Sequence, residues 1–70
     1  MQEIDSLVKM ANQIAKNFAF HSDSVERTAD HIQRFWAPSM RATLKAHIDG
    51  GGTGVSAEVT QALQQVEIPE

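Results

Sequence analysis

The stretch ADHIQRFWAPSMR, residues 29–41, decides the fold because it places the one tryptophan of the chain two residues before a proline. The apolar residues that lead to this proline recur with a helical period: Val25, Ala29, Ile32, Phe35 and Trp36. Pro38 disfavours the α conformation in the residue before it, and its own ring suits the first turn of a new helix. The sequence therefore predicts two helices, over residues 24–36 and 38–49, that meet at a corner.

Toward the N-terminus, a continuous apolar face predicts a first helix over residues 3–20. The residues of that face are Ile4, Leu7, Val8, Ala11, Ile14, Ala15 and Phe18. Met10 falls outside this face, which predicts that its side chain is exposed.

Local charges favour the same helices. Asp5 precedes Lys9, and Asp30 precedes Arg34, at the i,i+4 spacing that favours an ion pair on a helix. Asp23, followed three residues later by Glu26, resembles a capping box at the start of the second helix.

Toward the C-terminus, GGGTG at residues 50–54 predicts a glycine C-cap and a flexible loop over residues 50–55. Ser56 is a good N-cap for a last helix over residues 56–66, which is too short to be stable alone in water. This helix must therefore dock on the first three or on a partner. The predicted fold is all-α, a small bundle of three to four short helices in one domain over residues 1–70, with a Gly-rich loop before the last helix.

Composition narrows the classes of partner. Six Lys and Arg residues stand against nine Asp and Glu residues, so the net charge of −3 argues against nucleic acid as the main partner. The absence of cysteine excludes disulfides and fits a reducing cytoplasm. No stretch approaches the about 18 consecutive apolar residues of a membrane span, so no membrane partner is expected. We therefore expect a cytoplasmic protein.

No motif for chemistry is visible in the chain. His21, His31 and His47 are spaced too widely for a helical pair of metal ligands, and no HExxH pattern occurs. None of the serines lies in a GxSxG context, and GGGTG lacks the Lys-Ser/Thr of a phosphate-binding loop. We therefore predict no catalytic, cofactor-binding or metal-binding residues, and we expect His47 to be a hydrogen-bonded, partly buried histidine.

Residues 35 and 36 raise a specific question about packing. Neighbouring side chains on a helix diverge by about 100°, and a thin domain does not easily cover both Phe35 and Trp36. Either both border a wide core stripe with Ile32, or one of them is an exposed apolar anchor. Tryptophan, methionine and arginine are enriched at protein interfaces, which favours an anchor with a basic rim. The predicted partner-binding residues are His31, Arg34, Phe35, Trp36, Pro38, Met40, Arg41 and Lys45.

Four segments carry a family resemblance: LVKMANQIAKNF at residues 7–18, ADHIQRFWAPSMR at 29–41, AHIDGGGTG at 46–54 and VSAEVTQAL at 55–63. In these the chain resembles the delta subunit of the soluble, molybdenum-containing, NAD-dependent formate dehydrogenases. The most specific part is Ile-x-x-Phe-Trp-x-Pro-x-Met-Arg, which begins at Ile32. The chain departs from the family pattern at Ala37, where an acidic residue is common, and at Ser39, where a basic one is common.

The resemblance implies a non-catalytic accessory subunit of a cytoplasmic complex. In that family the alpha subunit carries molybdopterin guanine dinucleotide and iron–sulfur clusters, the beta and gamma subunits carry FMN, further clusters and the NAD site, and the delta subunit carries none of these. The implied partner is the alpha subunit, with beta and gamma in the same complex, and the implied role is assembly, cofactor maturation or quaternary stability. The residues alone leave an alternative open, a free-standing helical adaptor or regulator that forms a homodimer through the same surface.

Overall fold

The computed structural model describes residues 3–68, and within them four helices and no strand are present. The helices are α1, Glu3–Asn17; α2, Ser24–Phe35; α3, Pro38–Asp49; and α4, Ala57–Gln65. The predicted all-α class is confirmed, with the Gly-rich loop between α3 and α4. In this part of the chain no helix combines the length and the apolar character needed to cross a bilayer.

The end of α1 differs from the prediction. The helix was expected to reach residue 20, but it ends at Asn17. The Phe18 N–H is shared between the carbonyls of Ile14 and Ala15, at 3.3 and 3.2 Å. Such i,i+3 bonding tightens the last turn of a helix, and residues 18–20 therefore leave the helical path. The apolar periodicity runs through Phe18 and could not reveal this early end.

α2 and α3 meet at a corner beside Pro38, where the sequence predicts it. Trp36 is the C-cap of α2 and has an extended backbone, with its N–H donating to the Ile32 carbonyl at 3.0 Å. The helix therefore ends one residue before the predicted residue 36. Pro38 lies in the first turn of α3, and the preceding Ala37 offers no side-chain cap.

The C-terminus of α3 forms a Schellman motif on the glycines. The Gly52 N–H donates to the His47 carbonyl at 3.0 Å, and the Gly51 N–H donates to the Ile48 carbonyl at 3.1 Å. Gly51 has a φ of 126°, which a residue with a side chain rarely adopts. The glycines thus end the helix and reverse the chain toward α4.

A side chain of α1 holds the following loop in place. The Asn12 Nδ2 donates to the Gly54 carbonyl at 2.8 Å, and the Asn12 Oδ1 accepts the Ser56 N–H at 3.0 Å. Ser56 in turn caps α4, because its Oγ accepts the Val59 N–H at 3.3 Å. Asn12 therefore connects α1 directly to the start of α4. The predicted flexibility of residues 50–55 stays a prediction.

The core lies where α4 packs mainly against α2. Its largest fully buried apolar side chains come from three helices: Ile32, Leu44, Val59 and Leu63. Thr28 is also fully buried, and its hydroxyl donates to the Ser24 carbonyl at 2.8 Å, which satisfies the polar group. The short α4 thus docks on its own chain, which is one of the two possibilities that its length allowed.

Candidate partner-binding surface

The structure resolves which of the two adjacent aromatic side chains is inside. Trp36 is only 6% exposed and belongs to the core, whereas Phe35 is 72% exposed. The two diverge because Trp36 is the residue at which the backbone turns from helical to extended and directs its indole inward. Phe35, in the last helical position, remains on the outer face of α2.

Phe35 lies at the edge of an open, largely apolar groove of about 540 Å³. We call it the α1–α2 groove, and its lining residues are Lys9, Met10, Gln13, Ile14, His31, Phe35, Trp36 and Met40. Met10 is 46% exposed, as its place outside the apolar face of α1 predicts. The groove therefore has exposed apolar side chains on both the α1 side and the α2 side.

Two rings separate this groove from a second depression. His31 and Phe35 are one helical turn apart on α2, with ring centroids 4.8 Å from each other, and both line the two cavities. We call this pair the His31–Phe35 ridge. The second cavity, here the acidic depression, has a volume of about 380 Å³ and is lined by Phe18, Asp23, Glu26, Arg27, Asp30, His31 and Phe35.

Most charges around the acidic depression are already paired. Arg27 donates to Asp23 at 2.7 Å, and Arg34 donates to Asp30 at 2.9 Å, the latter as the i,i+4 spacing predicts. The hydrogen bond from Arg27 lowers the pKa of the Asp23 carboxyl below its usual value. The Asp23 side chain gives no cap hydrogen bond to α2, so the predicted capping box is wrong.

The predicted partner-binding residues divide into two groups. His31, Phe35, Trp36 and Met40 come together around the α1–α2 groove. Arg34 and Lys45 do not line the groove. Arg34 pairs with Asp30, and Lys45 pairs with Asp49 at 2.7 Å. The remaining two, Pro38 and Arg41, line a separate small cavity with Glu67 and Ile68.

Arg41 has an intramolecular role that the sequence does not indicate. Its Nη1 donates to the Glu67 carbonyl at 2.6 Å, while the Oε1 of Gln33 accepts the Glu67 N–H at 2.7 Å. These two side chains hold the segment after α4 against α2 and α3, with Val66 buried beneath it. The Arg41 Nε is buried without a hydrogen-bond partner among residues 3–68.

The residues of α1 that line the groove were missed by the sequence reasoning. Lys9 and Gln13 look like an ordinary solvated face, and only Met10 gave a signal, as a large apolar side chain outside the apolar face. Phe20 is a further exposed aromatic, at 98%, and it does not line the groove.

His47 is partly buried, and its Nε2 lies 2.8 Å from the Thr53 carbonyl oxygen. The prediction of a hydrogen-bonded, partly buried histidine is confirmed.

The family model of the NADH-dependent formate dehydrogenase delta subunit FdsD matches the chain over residues 6–63. No curated protein and no solved structure matches the chain. The matched range includes α2, α3 and the corner between them, as well as the α1 residues that line the groove. The chain belongs to the delta subunit family of NADH-dependent formate dehydrogenases.

Proposed function

We propose that this chain is a non-catalytic accessory subunit of a cytoplasmic NAD-dependent formate dehydrogenase complex. It binds the large, molybdenum-containing alpha subunit and supports its assembly, its cofactor maturation or the quaternary stability of the complex. The observation that carries the proposal is Phe35, a large aromatic side chain exposed at the edge of an apolar groove in a delta-family chain. Exposed apolar patches of this kind typify protein-interaction sites.

The residue inventory supports a role without chemistry of its own. The chain has no cysteine and therefore offers no thiolate to an iron–sulfur cluster. Among residues 3–68, no three His, Asp or Glu side chains lie together in a way that could hold a metal ion. From the family resemblance we carry over the expectation that the molybdopterin guanine dinucleotide, the iron–sulfur clusters, FMN and NAD belong to the other subunits.

Co-expression with the alpha, beta and gamma subunits tests the proposal. The chain is purified through an affinity tag, and the yield of untagged alpha subunit is measured for the wild type, for Phe35→Asp and for Phe20→Asp. We expect Phe35→Asp to lose most of the alpha subunit, because a carboxylate placed in an apolar contact is left desolvated. Phe20→Asp is the matched control, since Phe20 is exposed but outside the groove.

Two results would contradict the proposal. One is a wild-type chain that retains no alpha subunit, and the other is a Phe35→Asp variant that folds by circular dichroism and retains as much alpha subunit as the wild type. The alpha subunit is then made with and without this chain, and its molybdenum content and formate oxidation are measured. These measurements distinguish assembly, cofactor maturation and quaternary stability as the supported step. Normal molybdenum with low activity places the role after metal insertion.

A further inference from the structure

The three residues after α4 form a short extended segment that packs back onto the helices. α4 ends at Gln65, and Val66 has an extended backbone with φ −82° and ψ 138°. Side chains alternate in direction along such a backbone. Val66 is buried, Glu67 is exposed, and Ile68 is half-buried against the core. We call residues 66–68 the strap, because their apolar side chains face the helices.

The main chain of the strap is held by side chains from two different helices. The Oε1 of Gln33 on α2 accepts the Glu67 N–H at 2.7 Å, and the Nη1 of Arg41 on α3 donates to the Glu67 carbonyl at 2.6 Å. In an antiparallel sheet, a neighbouring strand bonds both main-chain groups of one residue in the same way. Gln33 and Arg41, which we call the clamp, thus replace a strand and hold residue 67 by its main chain.

The strap is attached more weakly than the helix that precedes it. Both hydrogen bonds of the clamp lie at exposed positions, and Val66 is the one strap residue that is buried. In α4, by contrast, Val59, Ala62 and Leu63 are all buried in the core. Segments with few buried apolar contacts and exposed hydrogen bonds open locally at a lower free energy than the core. The strap should therefore open while α4 remains docked.

Arg41 also carries a cost in the closed state. Its Nε is buried and has no hydrogen-bond partner among residues 3–68. A buried donor that lacks an acceptor has lost its hydrogen bonds to water without replacement, which costs free energy. Glu67 and Ile68 line the same small cavity as Arg41, so their departure should admit water to the guanidinium. The unpaired Nε therefore favours opening of the strap.

We infer that the strap opens and closes as one unit while the four helices stay folded, and that the clamp sets the balance between the two states. In the closed state Arg41 is engaged within the chain, and a cavity of about 210 Å³ is formed beside Pro38. In the open state Val66 and Arg41 are uncovered at the corner between α2 and α3. The strap thus competes with any external acceptor for the Arg41 Nη1. This inference concerns the chain alone and stands apart from the proposed function.

Two substitutions at one exposed position separate the main chain of residue 67 from its side chain. Glu67→Pro removes the N–H that Gln33 accepts, and Val66 already has the extended backbone that a following proline favours. Glu67→Ala keeps both main-chain groups and is the matched control. In ¹⁵N relaxation of the full-length chain, the order parameter of Ile68 should stay above about 0.6 in the wild type and in Glu67→Ala. It should fall below that value in Glu67→Pro, with the helices unchanged.

Amide hydrogen exchange tests whether the strap opens separately from the core. In the wild type, the protection factor of the Glu67 amide should be at least about tenfold lower than that of the Leu63 amide in α4. Arg41→Met removes the guanidinium but keeps an unbranched stem. This variant should lower the protection of Glu67 further and leave that of Leu63 unchanged.

Three results would overturn the inference. Equal protection of Glu67 and Leu63 in the wild type would mean that the segment opens only together with the core. An order parameter of Ile68 that is the same in Glu67→Pro and Glu67→Ala would show that the clamp does not hold the strap. Loss of helical circular dichroism in Glu67→Pro would make residues 66–68 part of the cooperative core.

Discussion

At the scale of single residues, Phe35 and Trp36 are neighbours in sequence with opposite environments. Trp36 is buried among the core side chains, so Trp36→Ala should lower the free energy of unfolding by about 3–5 kcal/mol. This equals the roughly 3–5 kcal/mol that the core of so small a domain supplies, so the variant should be largely unfolded at 25 °C. Phe35→Ala should change the free energy of unfolding by no more than about 0.5 kcal/mol, as surface substitutions do.

Urea unfolding followed by far-ultraviolet circular dichroism measures the change for Phe35→Ala, and the helical signal without urea reports how far Trp36→Ala is already unfolded. Trp36→Phe is the control that keeps an apolar ring in the core and should be destabilised less than Trp36→Ala. Equal destabilisation by Phe35→Ala and Trp36→Ala would show that Phe35 contributes to the core and would remove the basis of the proposed surface.

The sequence predicts part of this arrangement from helical geometry alone. Helical geometry places adjacent side chains about 100° apart, which predicted that Phe35 and Trp36 diverge and left open whether both border the core. Trp36 lies just past the last helical residue and has an extended backbone, so the observed divergence comes from the end of α2. Which of them lies inside depends on where α2 ends and how it crosses its neighbours. The apolar pattern shows neither where α2 ends nor how it crosses its neighbours. It therefore could not predict whether Phe35 or Trp36 is buried.

At the scale of elements, Pro38 and Ser56 marked where a helix begins more reliably than the apolar period marked where one ends. Pro38 starts α3, and Ser56 caps α4, because both act through backbone geometry within a few residues. The end of α1 was placed too late, because the apolar period continues into Phe18 while the backbone already tightens. The Asp5–Lys9 pair is not formed among the described residues, although three other i,i+4 pairs are.

The glycine pair at the end of α3 offers a test of the C-cap. Gly51→Ala should lower the free energy of unfolding by about 1–2 kcal/mol, because a φ of 126° is strained for a residue with a Cβ. Apart from its chain neighbours, the added Cβ would meet no atom within 4 Å, so the cost comes from the local backbone conformation and not from a clash with the rest of the fold. Thermal unfolding by circular dichroism measures the change.

Gly50→Ala is the matched control, because Gly50 has a negative φ of −87° and its new Cβ would make only ordinary contacts. This variant should be neutral or more stable by about 0.4–1 kcal/mol, since alanine restricts the unfolded chain. If both variants were destabilised alike, the Schellman geometry at Gly51 would not be what holds this turn.

At the scale of the whole molecule, the groove exists only because α1 packs beside α2 and α3. The sequence identifies His31, Phe35, Trp36 and Met40 as candidates, because they lie within one continuous stretch around the proline. Lys9 and Met10 are more than twenty residues away in sequence, and only tertiary packing brings them to the same groove. Periodicity assigns residues to faces, but it does not say which faces remain uncovered after packing.

The cooperativity of the whole molecule depends on α4, the shortest helix. Leu63 is 1% exposed in the core beside α2, whereas the next residue, Gln64, is on the surface. Leu63→Asp buries an unpaired carboxylate, at a penalty that exceeds the roughly 3–5 kcal/mol available to a domain of this size. We expect this variant to lose helical circular dichroism throughout the chain, and Gln64→Asp to melt close to the wild type.

Amide hydrogen exchange distinguishes global unfolding from the loss of one helix. If α4 completes the core, Leu63→Asp removes protection from Ile32 and Leu44 as well as from α4, because these side chains share one buried cluster. Protection retained in α1, α2 and α3 would instead mean that three helices form an independent unit and that α4 only covers it. The first result means that the four helices fold as one cooperative unit, so the α1–α2 groove forms only when α4 is docked.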